Sequence, residues 1–195
     1  AMQAQGAYYI SAPEQIAALR QTMFGTGAIN KDCVGASPVK IAEMAGLTVP
    51  ADTTMLMVRI DAYGKDELLA KEKLCPVICI TTYKTFEQAV ANAKCNLLNE
   101  GAGHSAVVHS HTQAHIEYAG EELPVSRIGV NMVGSSGLGG GLDNGLMPTA
   151  TLGCGTWGNN SISENLWWNH LVNIARIAYR DPSAKILTDE EIWAE

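Results

Sequence analysis

The sequence lacks a long apolar segment, a cluster of basic residues and a paired-cysteine motif. No apolar run approaches the roughly 20 residues that a membrane helix needs, and no charged segment followed by an apolar one opens the chain, so we expect neither a membrane span nor an export signal. The net charge is -7 and the lysines and arginines are dispersed, which argues against nucleic acid as a partner.

The cysteines are odd in number, irregularly spaced and without a C-x-x-C pair; they are Cys33, Cys75, Cys79, Cys95 and Cys154. Such a set favours reduced thiols and a cytoplasmic location. Cys75, Cys79 and Cys95 lie on apolar stripes, where cysteine acts as a small buried hydrophobe. Only Cys154 stands in a glycine-rich loop of the kind that binds ligands, so it is the one candidate nucleophile in the chain.

Apolar residues make up 47% of the chain, and their periodicity alternates between strand and helix. Strands are predicted at 53–60, 76–82, 105–109 and 127–133, and helices at 11–24, 37–46, 85–99 and 112–119. The first two strands are continuous apolar runs, typical of parallel strands that are buried on both faces. The pattern predicts an α/β fold with a mostly parallel sheet and helices packed on it.

Local signals mark where several helices begin. Ser11-Ala-Pro-Glu14 and Thr85-Phe-Glu-Gln88 match the capping box, and Ser37 followed by Pro38 is a cap with proline in the first turn. The charged segment 66–73, which leads into the second predicted strand, is expected to be an exposed turn.

Two segments near the C-terminus differ from the strands and helices before them. Nine glycines lie between Gly134 and Gly158, interspersed with apolar residues, which predicts a long structured loop with a functional role. The apolar residues of 171–177 then alternate. They predict a strand that has no partner in this chain and pairs with another subunit.

Four histidines fall between His104 and His115, but no nearby Cys, Asp or Glu completes a set of metal ligands, so no metal site is predicted. His104 differs from the others because Gly101-Ala-Gly103 precedes it. A turn without bulky side chains lets a ligand approach the imidazole closely, and a catalytic role is one interpretation. Glu72, at the edge of a buried strand, is either solvated or holds a ligand hydroxyl.

Several collinear motifs resemble the CoA-acylating branch of the aldehyde dehydrogenase superfamily, from about Gly6 to the C-terminus. They are Glu72-Lys-Leu-Cys-Pro76, Glu100-Gly-Ala-Gly-His-Ser105, Pro148-Thr-Ala-Thr-Leu-Gly-Cys-Gly-Thr-Trp-Gly158, Asn160-Ser-Ile-Ser-Glu-Asn165 and His170-Leu-Val-Asn173. Tyr118-Ala-Gly120, Leu123-Pro-Val-Ser-Arg127 and Glu190-Glu-Ile-Trp193 are most similar to CoA-dependent succinate-semialdehyde dehydrogenases.

The resemblance implies a parent enzyme that converts an aldehyde, CoA and NAD(P)+ to acyl-CoA and NAD(P)H. Its cofactor is NAD or NADP, and CoA is a co-substrate. It implies a three-layer catalytic-domain fold at 1–165, lacking its N-terminal part, and an oligomerisation strand and tail at 166–195 that joins identical subunits. The nucleophilic cysteine and most of the nucleotide-binding domain are expected upstream of Gly6. This chain alone is therefore expected to be inactive.

The resemblance also assigns roles to individual residues. Glu72 matches the glutamate that hydrogen-bonds the nicotinamide ribose, and Leu74 matches the apolar position beneath the nicotinamide. His104 matches a histidine near the thiol pocket, where a neutral imidazole could help deprotonate CoA or bind its chain. Ser135 and Ser136 correspond to the loop that lines the aldehyde entrance.

Three functions therefore remain open from the sequence. The first is part of an acylating dehydrogenase of succinate semialdehyde or another short aldehyde, in which Arg127 is the one cation available for a carboxylate tail. The second is a stand-alone module that binds CoA or assembles oligomers. The third is a thioester hydrolase that uses Cys154 and His104.

Overall fold

Strands and helices alternate along the computed structural model, which describes residues 1–194; Glu195, the last residue of the predicted tail, lies outside the described residues. The strands are β1 (Ala7–Ile10), β2 (Met55–Arg59), β3 (Val77–Ile80), β4 (Gly103–Val108) and β5 (Val125–Val130). The helices are α1 (Pro13–Phe24), α2 (Pro38–Met44), α3 (Phe86–Asn99), α4 (Gln113–Glu122), α5 (Gly134–Gly137) and α6 (Asp189–Ile192).

The first three strands form a parallel sheet in the order β1-β2-β3, in which Leu56 of β2 lies opposite Tyr8 on one side and Val77 on the other. β1 was absent from the predicted elements. Helices α1 and α2 bury their apolar residues against this sheet. The fully buried side chains of the resulting core include Ile10, Leu19, Met23, Phe24, Ile41, Leu56 and Val58.

The other two strands, β4 and β5, form a separate parallel pair. Helices α3 and α4 cover one face, where Val90 and Ala119 pack with Val108. The opposite face meets the glycine-rich segment: a Cβ on Gly134 would lie 2.8 Å from Cγ2 of Val107. The predicted parallel α/β class is confirmed, but the sheet is in two parts within the described residues.

The helix caps follow the sequence with one correction. Ser37 accepts a hydrogen bond from the Lys40 N–H at 3.2 Å, and Thr85 accepts one from the Gln88 N–H at 3.3 Å, as a cap should. The capping box at Ser11 is wrong, because helix α1 begins one residue later than that box requires: Ala12 is its N-cap and Pro13 its first residue.

The expectation that 66–73 is an exposed turn is wrong for Glu67 and Leu69, which are 3% and 0% exposed. Arg20 donates to the Glu67 carboxylate through Nε at 2.9 Å and Nη2 at 2.6 Å, and this bidentate pair lets the charge be buried. Burial would raise the pKa of the Glu67 carboxyl, but hydrogen bonds from Arg20 and from the Leu69 N–H outweigh it and lower the pKa.

The predicted strand at 171–177 has no hydrogen-bonded strand beside it within residues 1–194. A short 3-10 turn, Trp168–Leu171, overlaps the start of this segment. The apolar side chains of the segment, Leu171, Val172, Ile174 and Ile177, are exposed. Its pairing with another subunit stays a prediction. No helix of residues 1–194 is long and apolar enough to cross a membrane.

Candidate functional site

The carboxylate of Glu100 joins the Glu72 motif to the His104 motif. Glu100 caps the C-terminus of α3 and accepts the Glu72 N–H on Oε2 at 3.1 Å, while Lys71 Nζ lies 3.0 Å from Oε1. The Gly101–Gly103 turn leads directly from Glu100 into β4. Segments 28 residues apart in sequence are therefore held at one place, at the amino ends of β3 and β4.

The backbone of His104 is fixed while its side chain is exposed. Its N–H donates to the Gly101 carbonyl at 3.0 Å, and its carbonyl accepts from Arg127 Nη2 at 3.0 Å. Gly101 and Gly103 have φ of 102° and 83°, values that L side chains rarely adopt. The turn thus presents an imidazole to solvent from a rigid main chain.

Gly103 also permits a close contact with the glycine-rich loop. A Cβ at this position would lie 2.0 Å from the carbonyl oxygen of Cys154, so no larger residue fits. The contact orders the loop against the start of β4. The thiol of Cys154, however, has only a long contact of 3.9 Å to the Leu152 carbonyl, and no hydrogen bond joins it to His104 among residues 1–194. The geometry therefore does not support a Cys154–His104 pair.

Glu72 and Leu74 lie at the amino end of β3 and are both exposed. Leu74, 64% exposed, has a φ of 49°, and its carbonyl accepts a hydrogen bond from the Gly35 N–H at 2.9 Å. A left-handed leucine is strained, and such strain concentrates at ligand sites. No hydrogen bond to the Glu72 carboxylate is found within residues 1–194, which leaves its oxygens available to a donor.

Ser135 and Ser136 are exposed on α5, away from the histidine. α5 packs near Val107, which points to the opposite face of β4 from His104 because side chains alternate along a strand. No contact within the described residues brings these serines to His104 or Glu72. Their contact with a substrate stays a prediction.

Arg127 is 5% exposed and inward-facing, so its guanidinium is not presented to an entering aldehyde. Its Nε donates to Ser105 Oγ at 3.2 Å and its Nη2 to the His104 carbonyl. Arg127, the one cation predicted to be available for a carboxylate tail of the aldehyde, instead holds the main chain at His104.

Three of the cysteines are in environments that disfavour the thiolate. Burial raises the pKa of Cys33, Cys75 and Cys79, and nearby Asp32 raises that of Cys33 further. A thiol with a raised pKa is a poor nucleophile at neutral pH. All five cysteines are free, and no group of three or more His, Cys, Asp or Glu in residues 1–194 could hold a metal ion.

A hollow of about 660 Å³ lies elsewhere, at the carboxyl ends of β1 and β2. Arg20, Arg59 and Asp61 are among its lining residues, and no predicted site residue takes part. Glu72, Leu74 and His104 lie instead on an open surface at the amino ends of β3 and β4, whereas Ser135 and Ser136 follow the carboxyl end of β5. Glu100 opens the Glu100-Gly-Ala-Gly-His motif but was not among the predicted site residues, although its carboxylate holds the Glu72 segment beside the His104 turn.

No protein-family model matches the chain, but individual proteins of known sequence or structure are similar to it. A succinate-semialdehyde dehydrogenase (acetylating) of Clostridium kluyveri is 45% identical over 188 residues, which are 96% of this chain and 41% of the relative. A sulfoacetaldehyde dehydrogenase (acylating) of Cupriavidus necator is 37% identical over 192 residues, 97% of this chain and 38% of the relative.

A crystal structure of an acetylating aldehyde dehydrogenase from Geobacillus thermoglucosidasius superposes with a TM-score of 0.86 at 33% identity, over 95% of this chain and 41% of that one. The fold and these matches define an aldehyde dehydrogenase homologue. Within that superfamily, the chain belongs to the acylating aldehyde dehydrogenases. It spans about two fifths of the length of these three relatives.

Proposed function

We propose that the chain is the C-terminal part of an acylating aldehyde dehydrogenase, in which aldehyde, CoA and NAD(P)+ give acyl-CoA and NAD(P)H. The observation that carries the proposal is the Glu100 carboxylate, which holds the Glu72 segment beside the His104 turn. A short-chain aldehyde is the proposed substrate. Succinate semialdehyde is favoured because the relative with 45% identity acts on it.

The residues at the amino end of β3 fit a nicotinamide nucleotide. The Glu72 carboxylate has acceptor oxygens for ribose hydroxyls, and the strained Leu74 presents an exposed apolar surface to a flat ring. When bound, the nicotinamide supplies the hydride acceptor. The role of these residues is to orient it.

His104 fits a thiol co-substrate. A neutral imidazole accepts a proton through one ring nitrogen, so an exposed His104 can take the proton of the CoA thiol or hydrogen-bond the chain that carries it. The fixed main chain sets the point from which the ring extends, so that only the two side-chain torsions of His104 remain to be ordered for reaction. We place the nucleophilic cysteine and the nucleotide-binding domain in the part of the whole protein that precedes Gly6.

The test is an assay of the whole protein that contains this chain, and we expect Glu72→Gln to raise its KM for NAD(P)+ about 10-fold while kcat for bound substrate changes less. A carboxylate accepts hydroxyl donors more strongly than an amide does, by about 1–2 kcal/mol. NAD(P)H absorbance and acyl-CoA by mass spectrometry are the readouts. Glu117→Gln, on the exposed side of α4, is the matched control. Absence of acyl-CoA from the wild-type protein contradicts the proposal.

The same proposal includes assembly of identical subunits through the exposed segment 171–179. It also includes a cytoplasmic location, which the free thiols favour. Ile174, Ile177 and Tyr179 are 56%, 83% and 89% exposed, a cost that pairing with a strand of a second copy would remove. Ile174→Asp with Ile177→Asp should lower the oligomer mass measured by light scattering. Replacing the neighbouring polar residues Asn173 and Arg176 by Ser is the control. An unchanged mass would rule out this segment as the interface.

The alternative is a module that binds CoA or assembles oligomers without catalysis. It is favoured by the same exposed tail and by the absence, from residues 1–194, of a cysteine in a reactive environment near His104. A natural reading frame that begins near Met2 would support it. The 45% identity over 96% of the chain to a dehydrogenase makes the enzyme the better-supported function.

A further inference from the structure

Arg127 is a buried arginine to which no described residue offers a carboxylate. It lies on β5 opposite Ser105 of β4, and no Asp or Glu of residues 1–194 forms an ion pair with it. Burying an unpaired guanidinium is costly, so chains retain one only where its donors are used. Arg20 is the contrasting case, because Glu67 neutralises it.

The donors of Arg127 act on two consecutive residues of the histidine turn. Nε reaches the Ser105 hydroxyl at 3.2 Å and Nη2 reaches the His104 carbonyl at 3.0 Å. The buried Nη1 has no acceptor within the described residues. Among residues 1–194, the orientation of the guanidinium is therefore set by His104 and Ser105 and not by a counter-ion.

The main chain at His104 is held from both sides as a result. Its N–H is bound within the turn, to the Gly101 carbonyl at 3.0 Å, and its carbonyl is bound from the neighbouring strand by Arg127. The planar guanidinium of arginine can donate to the Ser105 hydroxyl and the His104 carbonyl at once, whereas the single ammonium of a lysine cannot hold the same two positions. Small errors in the placement of a reacting group reduce rates strongly.

We propose that Arg127 is a positioning residue that fixes the main chain at His104, and with it the direction in which the His104 side chain leaves β4 toward the CoA thiol, an inference that rests on the proposed acyl transfer. Its side-chain hydrogen bonds within residues 1–194 go only to Ser105 and His104, so we expect it to touch neither substrate nor nucleotide. Its effect is confined to the step in which His104 acts, so the nucleotide step should be insensitive to it.

The experiment compares Arg127→Lys with Arg20→Lys in the whole protein. For Arg127→Lys we expect the KM for CoA to rise, or the rate of acyl transfer to fall, about 10- to 100-fold, with the KM for NAD(P)+ within about 2-fold. Amide exchange of peptides that cover 101–106 should accelerate about 5- to 10-fold, as for a lost hydrogen bond. Arg20→Lys should lower Tm and leave both CoA kinetics and exchange at 101–106 unchanged.

Ser105→Ala provides a milder change that removes only the Nε acceptor, and it should give a smaller effect of the same kind. If Arg127→Lys and Ser105→Ala leave exchange at 101–106 as in the wild type, the positioning role is wrong. Equal losses for CoA and NAD(P)+ would also overturn it, since they indicate a general structural role. A wild-type protein that makes no acyl-CoA would contradict the proposed function. The amide exchange of 101–106 would still decide whether Arg127 orders the turn before His104.

Discussion

His104→Ala in the whole protein should slow CoA-dependent turnover about 100- to 10,000-fold, the range for loss of a general base. The imidazole is the exposed titratable group of the Gly101–Ser105 turn, and the main chain beneath it is held independently by Gly101 and Arg127. Removal of the ring should therefore leave the turn in place and delete only the proton acceptor.

The loss should be confined to the step that consumes CoA. A rapid burst of NAD(P)H, about one equivalent per active subunit, should survive in His104→Ala, while steady-state acyl-CoA formation falls. Stopped-flow absorbance and quenched-flow mass spectrometry separate the two. His109→Ala is the matched control, because His109 is also exposed and directly follows the other end of β4. Equal turnover by both variants would leave His104 without a chemical role.

Local signals in the sequence predicted much of the fold. Caps at Ser37 and Thr85 depend on residues three positions apart, and the apolar runs of β2 and β3 are visible without a partner. β1 was missed because four residues are too few to show a period. Its identity as a strand depends on pairing with β2, across nearly 50 residues of sequence.

The site was less predictable, because its defining contacts are long-range and polar. Glu67 was expected to be exposed, since its neighbours are charged, but Arg20, 47 positions away, buries it. Glu100 likewise reaches Glu72 across 28 positions. Residue type and local spacing suggested His104 and Glu72 as candidates. These local signals could not show that a third residue, Glu100, holds the two segments together through its carboxylate.

The isolated 195-residue chain should oxidise aldehydes at least about a million-fold more slowly than the whole protein, the scale of loss when a covalent nucleophile is removed. The physical reason is the state of its own thiols. Burial raises the pKa of Cys33, Cys75 and Cys79, and the backbone of Cys154 is locked against Gly103 while its thiol has no basic partner within residues 1–194. None of these four is placed to replace a thiolate activated by a base.

A folded chain is needed for this comparison, and the two apolar clusters, one on each sheet, give it a core of its own. Circular dichroism and a cooperative thermal transition should be recorded before the assay. Cys154→Ser in the isolated chain is the control: we expect the same negligible rate with and without it. Acyl-CoA formation by the isolated chain that disappears in Cys154→Ser would instead assign the nucleophile to Cys154. That result would overturn the assignment of catalysis to a cysteine outside this chain.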